Sequence, residues 1–414
     1  MDRSSKTLKE RPSEMVLTEA AIALMHGRVA QMHRLTRRLV ETNSYSKNVE
    51  GVNAVGELLR QAFGELGLDL RVIKGGTGFG DHYVWSTQCA GEQPPILLIG
   101  HHDTVFPPGH FEGWREEGTL AYGPGCLDMK GGLALIWGVM SALAAQRLID
   151  ECPLVIVSVA DEEIGSIDSK PHLEALAEKA SCALVFEAGR TGDRIVTRRR
   201  GTGGVRAIAT GVAAHAGNAH HLGKNAIWSL ARFIDFAQGR TNYERGLTVS
   251  VGLISGGTSA NTVPDGAEAM LDVRFDTVAD AHHLMGDLER AANDLAIEGT
   301  KIRLEGGIKR LPMQKTSASE ALYREYADAQ RAAGLGSEEH PLVGGGSDAN
   351  TVAGVGLAAI DGLGPRGAGF HTTDEHIDLN SFGPKAEALL RFLCTRLGDA
   401  GAASLSRELK PAQT

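Results

Sequence analysis

The 414-residue chain is short of several things, and each shortage excludes a class of protein. Cysteine is scarce: Cys89, Cys126, Cys152, Cys182 and Cys394 are far apart and never form a CxxC. That spacing excludes a disulfide-stapled secreted scaffold and a thiolate zinc site, and predicts free thiols in a reducing cytoplasm. No apolar run reaches the ~20 residues that a bilayer requires. The longest charge-free one, GGLALIWGVMSALAAQ, starts at Gly131. The opening MDRSSKTLKERPSEM has no apolar h-region, so no secretory signal is expected. Basic residues are outnumbered, leaving a formal net charge of −9. Duplex nucleic acid and anionic membranes are therefore poor candidates for partners. Internal repeats and low-complexity linkers are absent.

What is abundant is glycine, 52 residues where roughly 7% of the chain is usual. Such a surplus predicts tight turns and close approach of backbone to a ligand. The length suits two or three domains. Helical spacing runs from Val16 to about Glu41, and again over Val52–Leu66 before Gly67. Apolar runs at Ile96–Ile99, Leu154–Val159 and Ala183–Phe186 predict buried strands, with helices over Leu133–Ala145 and His172–Lys179 between them. This alternation predicts an α/β domain whose mixed, largely parallel sheet is flanked by helices.

After about Arg200 the order changes to strand Val205–Thr210, helix Asn225–Phe236, strands Leu247–Ile254 and Ala267–Phe275, helix Val278–Ala296 and strand Lys301–Leu304. That is βαββαβ, a ferredoxin-like split sandwich. Helix Ser319–Ala333, the loop VGGGSDAN, strand Leu357–Asp361 and helix Pro384–Leu397 restore the α/β pattern. The economical division is one domain from 1–200 and 312–414, with a compact domain inserted at 201–311.

Carboxylates and histidines gather at the predicted strand ends, where open α/β sheets place their ligands. In ILLIGHHDTV, His101 and Asp103 share a face, so one can bind metal while the other orients it. AYGPGCLDMKGG sets Asp128 between a Gly-Pro-Gly turn and the start of a buried helix. VIVSVADEEIGS ends an apolar strand in Asp161, Glu162 and Glu163, which repel one another unless cations neutralise them. Glu162 and Glu163 should project to different sides, one a ligand and the other a base; spacing does not say which. ALVFEAG ends in Glu187, and GPRGAGFHTTDE carries His371 in a glycine-rich loop. Any one of these histidines is bland alone, because a strand-end imidazole is more often a satisfied polar group. Together they suit two cations: His101 with Glu163, Glu187 or its neighbour with His371, and Asp128 bridging. Nitrogen and oxygen donors without thiolate fit zinc, with cobalt or manganese as substitutes. VGGGSDAN lacks the P-loop lysine, and there is no GxSxG elbow, so nucleotide binding and serine hydrolysis are set aside.

In chain order, GHHDTV, YGPGCLDMKGG, ADEEIGS, FEAG, HAGN, GGTSANTVP, VGGGSDAN and GFHTTDE resemble the motifs of the dizinc metallopeptidases. That superfamily holds acetylornithine deacetylase, succinyl-diaminopimelate desuccinylase, aminoacylase and the bacterial glutamate carboxypeptidases; the last are nearest in look. The resemblance runs from Val16 to Leu397. It implies that His101, Asp128 and Glu163 hold one zinc, and Asp128, Glu187 and His371 the other. It also implies that Asp103 orients His101, that Glu162 is the general base, and that the Asp128–Met129 bond is cis. The inserted domain would dimerise and supply His215, Asn261, Arg274 and Arg310 to substrate. The implied protein is a cytoplasmic homodimer that hydrolyses an amide bond of a small N-acyl amino acid or short peptide and releases a C-terminal, acidic residue. A deacylase or dipeptidase of the same superfamily is the alternative. A non-catalytic, metal-stabilised dimeric binding protein is the outside one, disfavoured because it has no use for Glu162. His102 is expected to be a bystander and His220 and His221 to face solvent, and the Thr197–Arg200 stretch departs from the pattern.

Overall fold

The computed structural model describes the backbone of residues 14–408 and the side chains of 18–397; most of the polar leader lies outside the described residues. The chain forms two compact units. The larger runs to Ile195 and adds Ser317–Glu339 and the chain from Ala358 onward; the smaller holds Val196–Thr316 and His340–Leu357. The sequence alone places VGGGSDAN with the outer domain, but that loop belongs to the smaller unit. Its tether is polar: the Asn350 amide donates to the Arg200 and Leu311 carbonyls at 3.0 and 2.8 Å.

In the larger unit, the single helical stretch predicted from Val16 is two helices, α1 (Glu14–His26) and α2 (Val29–Val40). They part at Gly27, a residue about 1 kcal/mol less helix-favouring than alanine. Helix α3 (Val49–Gly64) is capped by Asn48, whose side chain accepts from the Gly51 N–H. Then follow β1 (Asp69–Ile73), β2 (His82–Ser86), β3 (Ile96–His101), β4 (Arg115–Glu117), β5 (Leu120–Tyr122), α4 (Gly131–Ala145), β6 (Leu154–Val159), α5 (Lys170–Ala177) and β7 (Cys182–Val185). The stretch Cys126–Ala145 is apolar enough to cross a membrane by composition, but 89% of it is buried, as a core helix should be.

The smaller unit contains β8 (Gly201–Thr210), β9 (Ala214–His215), α6 (Ala226–Gln238), β10 (Thr248–Gly256), β11 (Thr262–Val263), β12 (Gly266–Phe275), α7 (Val278–Asp294) and β13 (Lys301–Arg310). Its sheet runs β10-β12-β8-β13, all antiparallel, and β9 pairs separately with β11. Inward residues such as Val205, Leu271 and Phe275 form a core with Leu230, Phe233 and Leu288 of the helices. Both β8 and β13 are longer than predicted, because their glycines read as turns. Instead they permit close strand approach: a Cβ at Gly306, whose φ is +90°, would lie 2.3 Å from the Gly204 carbonyl oxygen.

The chain finishes with α8 (Ser317–Ala332), α9 (Asp348–Gly354), β14 (Ala359–Ile360), β15 (Gly367–Ala368), β16 (His376–Asp378) and α10 (Phe382–Glu408). The main sheet of the larger unit is β1-β2-β6-β3-β7-β14, parallel from β6 through β14 and antiparallel at β1 and β2. The mixed, largely parallel sheet is the predicted one, and the antiparallel strands β1 and β2 at its edge are additions. Ile96 sits opposite both Leu154 and Cys182, so three parallel strands run in step and end side by side. A second sheet, β15-β16-β5-β4, has strands of only two or three residues, too short to show a period.

Candidate metal centre

His101 is the last residue of β3, and its ring is buried. Its Nδ1 lies 3.1 Å from the Asp103 carbonyl and 3.4 Å from Asp103 Oδ1, while Nε2 lies 3.2 Å from Asp128 Oδ1. Asp103 does more than orient the ring. Its Oδ1 accepts from the Glu162 N–H at 3.1 Å; its Oδ2 accepts from the Glu163 N–H at 3.2 Å and from Ser46 Oγ at 2.6 Å. One buried carboxylate thus fixes both the end of β3 and the turn after β6.

That turn overrides strand alternation. Residues Glu162–Ile164 are a single tight helical turn, so the two glutamates do not point to opposite sides. Donor atoms of Glu163, His101 and Asp128 lie within 4.8 Å of one another, and so do those of Glu162, His101 and Glu187. Asp161 is structural: its Oδ2 accepts from the Asp168 and Ser169 N–H groups at 2.7 and 3.3 Å.

Asp128 follows the Gly-Pro-Gly turn, and its bond to Met129 is cis. Gly125 has φ +70°, and a Cβ there would meet Thr104 Cγ2 at 2.4 Å, so only glycine fits. His371 enters from the loop before β16, with Nε2 3.0 Å from Glu163 Oε2 and 3.4 Å from Asp128 Oδ2. His101 Nε2 is 3.9 Å from Glu187 Oε1. Beyond Asp128, which lies between, the close contacts link His101 with Glu187 and His371 with Glu163, while His101, Asp128 and Glu163 also stand as one donor group, as in the first of the expected sets. The turn carries Glu163 past the strand end toward the His371 loop, a displacement that spacing along a strand does not register.

The protonation chemistry reports an excess of negative charge. Burial, with the charge on Asp128, raises Glu163 to about 8 and pushes Glu187 well above the usual carboxylate range. Burial acts on Asp128 too, but hydrogen bonds from His101 and His371 outweigh it and hold that group low. Hydrogen bonds to Asp128 and Glu163 raise His371 to about 10. Without cations, these side chains can be accommodated only by retaining protons. Five convergent nitrogen and oxygen donors with surplus negative charge fit a pair of divalent ions.

His102 is buried, shares a 2.8 Å hydrogen bond between Nδ1 and Ser158 Oγ, and meets the Tyr83 ring edge-on. Burial lowers it to about 3, which suits a neutral bystander. Two residues that the motifs contain but the sequence reading passes over are Glu375 and Lys130, both buried. Glu375 accepts from the N–H groups of Gly125, Leu127 and Asp128; Lys130 donates to the Thr42 carbonyl at 3.1 Å. No periodicity marks either: Glu375 lies in the loop before β16, and Lys130 in the irregular turn Cys126–Lys130 that leads into α4.

In the smaller unit, the structure brings two of the predicted substrate residues together. His215 pairs with Thr262 across β9 and β11, and the Ala216 N–H donates to the Asn261 carbonyl at 2.9 Å. His215 is exposed; its Nδ1 accepts from the Gly217 and Asn218 N–H groups, so the neutral ring carries its proton on Nε2. Arg274 and Arg310 both register with Thr202 from opposite sides of β8. Arg274 forms a two-pronged pair with Asp272, and the buried Arg310 donates to Asp348 at 3.1 Å. In the arginine run, Arg199 donates to the Gly345 carbonyl and Arg200 pairs with Asp276 at 2.8 Å, so these two do not form an open cationic patch. His220 and His221 are exposed.

The family described as peptidase family M20/M25/M40 matches residues 97–395. Carboxypeptidase G2 of Pseudomonas sp. (strain RS-16) is 29% identical over 363 residues, covering 83% of this chain and 84% of that one. Succinyl-diaminopimelate desuccinylase of Nitrosococcus oceani is 28% identical over 306 residues, 69% of this chain and 79% of the relative. Among solved structures, a tripeptidase from Staphylococcus aureus superposes with a TM-score of 0.74 at 22% identity, covering 89% of this chain and 98% of that one.

Proposed function

Because the chain belongs to peptidase family M20/M25/M40, a family of metal-dependent hydrolases, we propose that it releases a C-terminal, acidic amino acid from a small N-acyl or peptide substrate. The observation that carries this reading is the convergence of His101, Asp128, Glu163, Glu187 and His371 beside Glu162. In this reading His101 and Glu187 hold one zinc, His371 and Glu163 the other, and Asp128 both. What the ions supply when bound is Lewis acidity, toward the scissile carbonyl and toward a water molecule. Glu162 takes the proton of the attacking water and returns it to the departing amine. Asp103 keeps the His101 ring and the Glu162 backbone in place for that transfer. His215 offers its Nε2–H to the developing oxyanion.

Asn261, Arg274 and Arg310 are assigned to the free α-carboxylate of the leaving residue, arginine being suited by its planar, two-pronged fork. The smaller unit serves as a dimerisation domain. That assignment is supported by the edge strand β10, where Leu253 and Ile254 are 69% and 61% exposed. Five cysteines without a disulfide suit a reducing, cytoplasmic setting.

The resemblance to carboxypeptidase G2 favours an acidic leaving residue, whereas the desuccinylase likeness favours a general N-acyl-amino-acid deacylase. A panel of N-acyl amino acids and dipeptides, assayed with zinc and with cobalt, separates them. N-acyl-glutamate or N-acyl-aspartate cleaved no faster than neutral analogues would sink the acidic preference and leave the deacylase.

A further inference from the structure

The Glu375 carboxylate lies in the larger unit and is fully buried, yet it is outside the ligand set; the buried Lys130 feels its charge without hydrogen-bonding to it. Its partners are backbone. Oε2 accepts from the Gly125 N–H at 3.0 Å; Oε1 accepts from the Leu127 N–H at 2.8 Å and the Asp128 N–H at 3.0 Å. Three N–H groups within four residues converge on one anion only because Gly125 adopts φ +70°, a backbone nest of the kind that binds anions elsewhere. Here the protein supplies its own anion, from the other loop of the site.

That loop is the one carrying His371. Thr372 and Glu375 close successive turns, the Thr372 N–H donating to Gly369 and the Glu375 N–H to Thr372. Strand β16 begins at the next residue and pairs with β5, His376 opposite Tyr122. Strand β5 in turn leads into the Gly-Pro-Gly turn, and the Gly123 N–H donates to the Glu375 carbonyl at 3.4 Å. Side chain and main chain of one residue therefore tie together the two loops that present Asp128 and His371, whose Oδ2 and Nε2 stand 3.4 Å apart.

We propose that Glu375 is a positioning residue for the metal centre: its carboxylate, seated in the N–H nest of residues 125–128, sets the placement of Asp128 against His371. This rests on reading Asp128 as the ligand common to both ions. Outer partners that orient a ligand commonly govern metal affinity by about 10–100-fold.

Zinc titration of the metal-free full chain against a competing chelator tests it. Glu375→Gln keeps the volume but replaces one accepting oxygen by a donor, so one of the nest N–H groups loses its acceptor. The weaker zinc equivalent should then lose affinity about 10–100-fold, and kcat should fall more than KM rises. Glu375→Asp keeps the charge but is one methylene short, and should lie between the wild type and Glu375→Gln; it also decides the matter if the glutamine variant does not fold. A merely structural role would lower the Tm of the metal-free variants and leave zinc affinity alone, and that result overturns the proposal. Asp128→Ala is titrated in parallel. If it retains both zinc equivalents, the bridging reading fails, and this inference with it. If it loses zinc while the Glu375 variants do not, only this inference fails.

Discussion

The two units handle the same residue types in opposite ways. On the outer sheet face of the smaller unit, carboxylates and arginines pair off: Arg206 with Glu268 and Glu305, Arg303 with Glu305, Arg274 with Asp272. In the larger unit Asp128, Glu162, Glu163 and Glu187 converge with only two imidazoles among them. Exposed matched pairs are worth little and say little about function. A buried surplus of one sign is costly unless something neutralises it, and it therefore identifies where a cation belongs. Charge imbalance at depth, rather than charge itself, separates a site from a decorated surface.

The largest effect should come from separating the base from the ligands. Glu162→Gln removes proton transfer and should lower kcat by about 10³-fold or more, with both zinc equivalents still bound by elemental analysis. Asp128→Ala should lose zinc itself. Equal metal loss in the two variants would show that Glu162 belongs among the ligands, a real alternative given its place beside His101 and Glu187. Next in size is His215→Ala, which should cost about 10²–10³-fold in kcat if its Nε2–H meets the oxyanion. Mixing inactive His215→Ala protomers with inactive Glu162→Gln protomers should restore measurable activity if the ring serves the partner's site. Verified heterodimers without recovery would rule out a shared site.

Much of this was legible from residues alone, and the limits have physical causes. Buried parallel strands are continuous apolar runs, so Leu154–Val159 could be read to the residue, and the acids and histidine just beyond such runs stood out. The close contact of Glu163 with His371 could not be read, because it depends on a turn at Glu162–Ile164 that moves Glu163 off the strand's alternation. Strands β4, β5, β15 and β16 are too short for periodicity, yet they bring the Asp128 and His371 loops together. Glu375 stayed hidden for the same reason. Arg274 was recognised as a candidate, but its two-pronged pair with Asp272 depends on both side chains lying on one face of β12, two residues apart.

Arg274 is where the comparison can be broken. If its pairing with Asp272 is only surface balance, Arg274→Ala should leave kinetics untouched. If the arginine exchanges Asp272 for substrate, kcat/KM for a free α-carboxylate substrate should fall about 10–100-fold, in keeping with loss of a charge-assisted pair. The variant should then also discriminate less against the α-carboxamide. Arg206→Ala, on the same face, is the control and should change neither.

The smallest effect is thermal, and its sign sharpens the contrast between the units. Burial first, then neighbouring charge, raises Glu163 to about 8 and Glu187 well up, and burial raises Glu375 to about 7. Each binds a proton in the folded, metal-free protein at a pH where the unfolded chain has released it. Their contribution is therefore present at low pH and lost as pH rises from about 5 toward 7. His102, lowered to about 3 by burial, opposes this below its unfolded value near 6.5. Lys130, lowered to about 7, opposes it only above that pH. His33, also lowered by burial, opposes it in the same window as His102, so three carboxyls against two imidazoles leave the metal-free protein with a Tm that falls by a few degrees between pH 5 and 7. Zinc displaces those protons, so its affinity rises with pH and the loaded protein should move the other way. Hydrogen exchange locates the change: protection of residues 125–128 and 160–165 should decline with pH in the metal-free state after correction for intrinsic exchange, while that of β8 and β12 stays level. A metal-free Tm that rises across this window would mean that the clustered carboxylates are already neutralised by the protein itself, and the contrast between the two units would disappear.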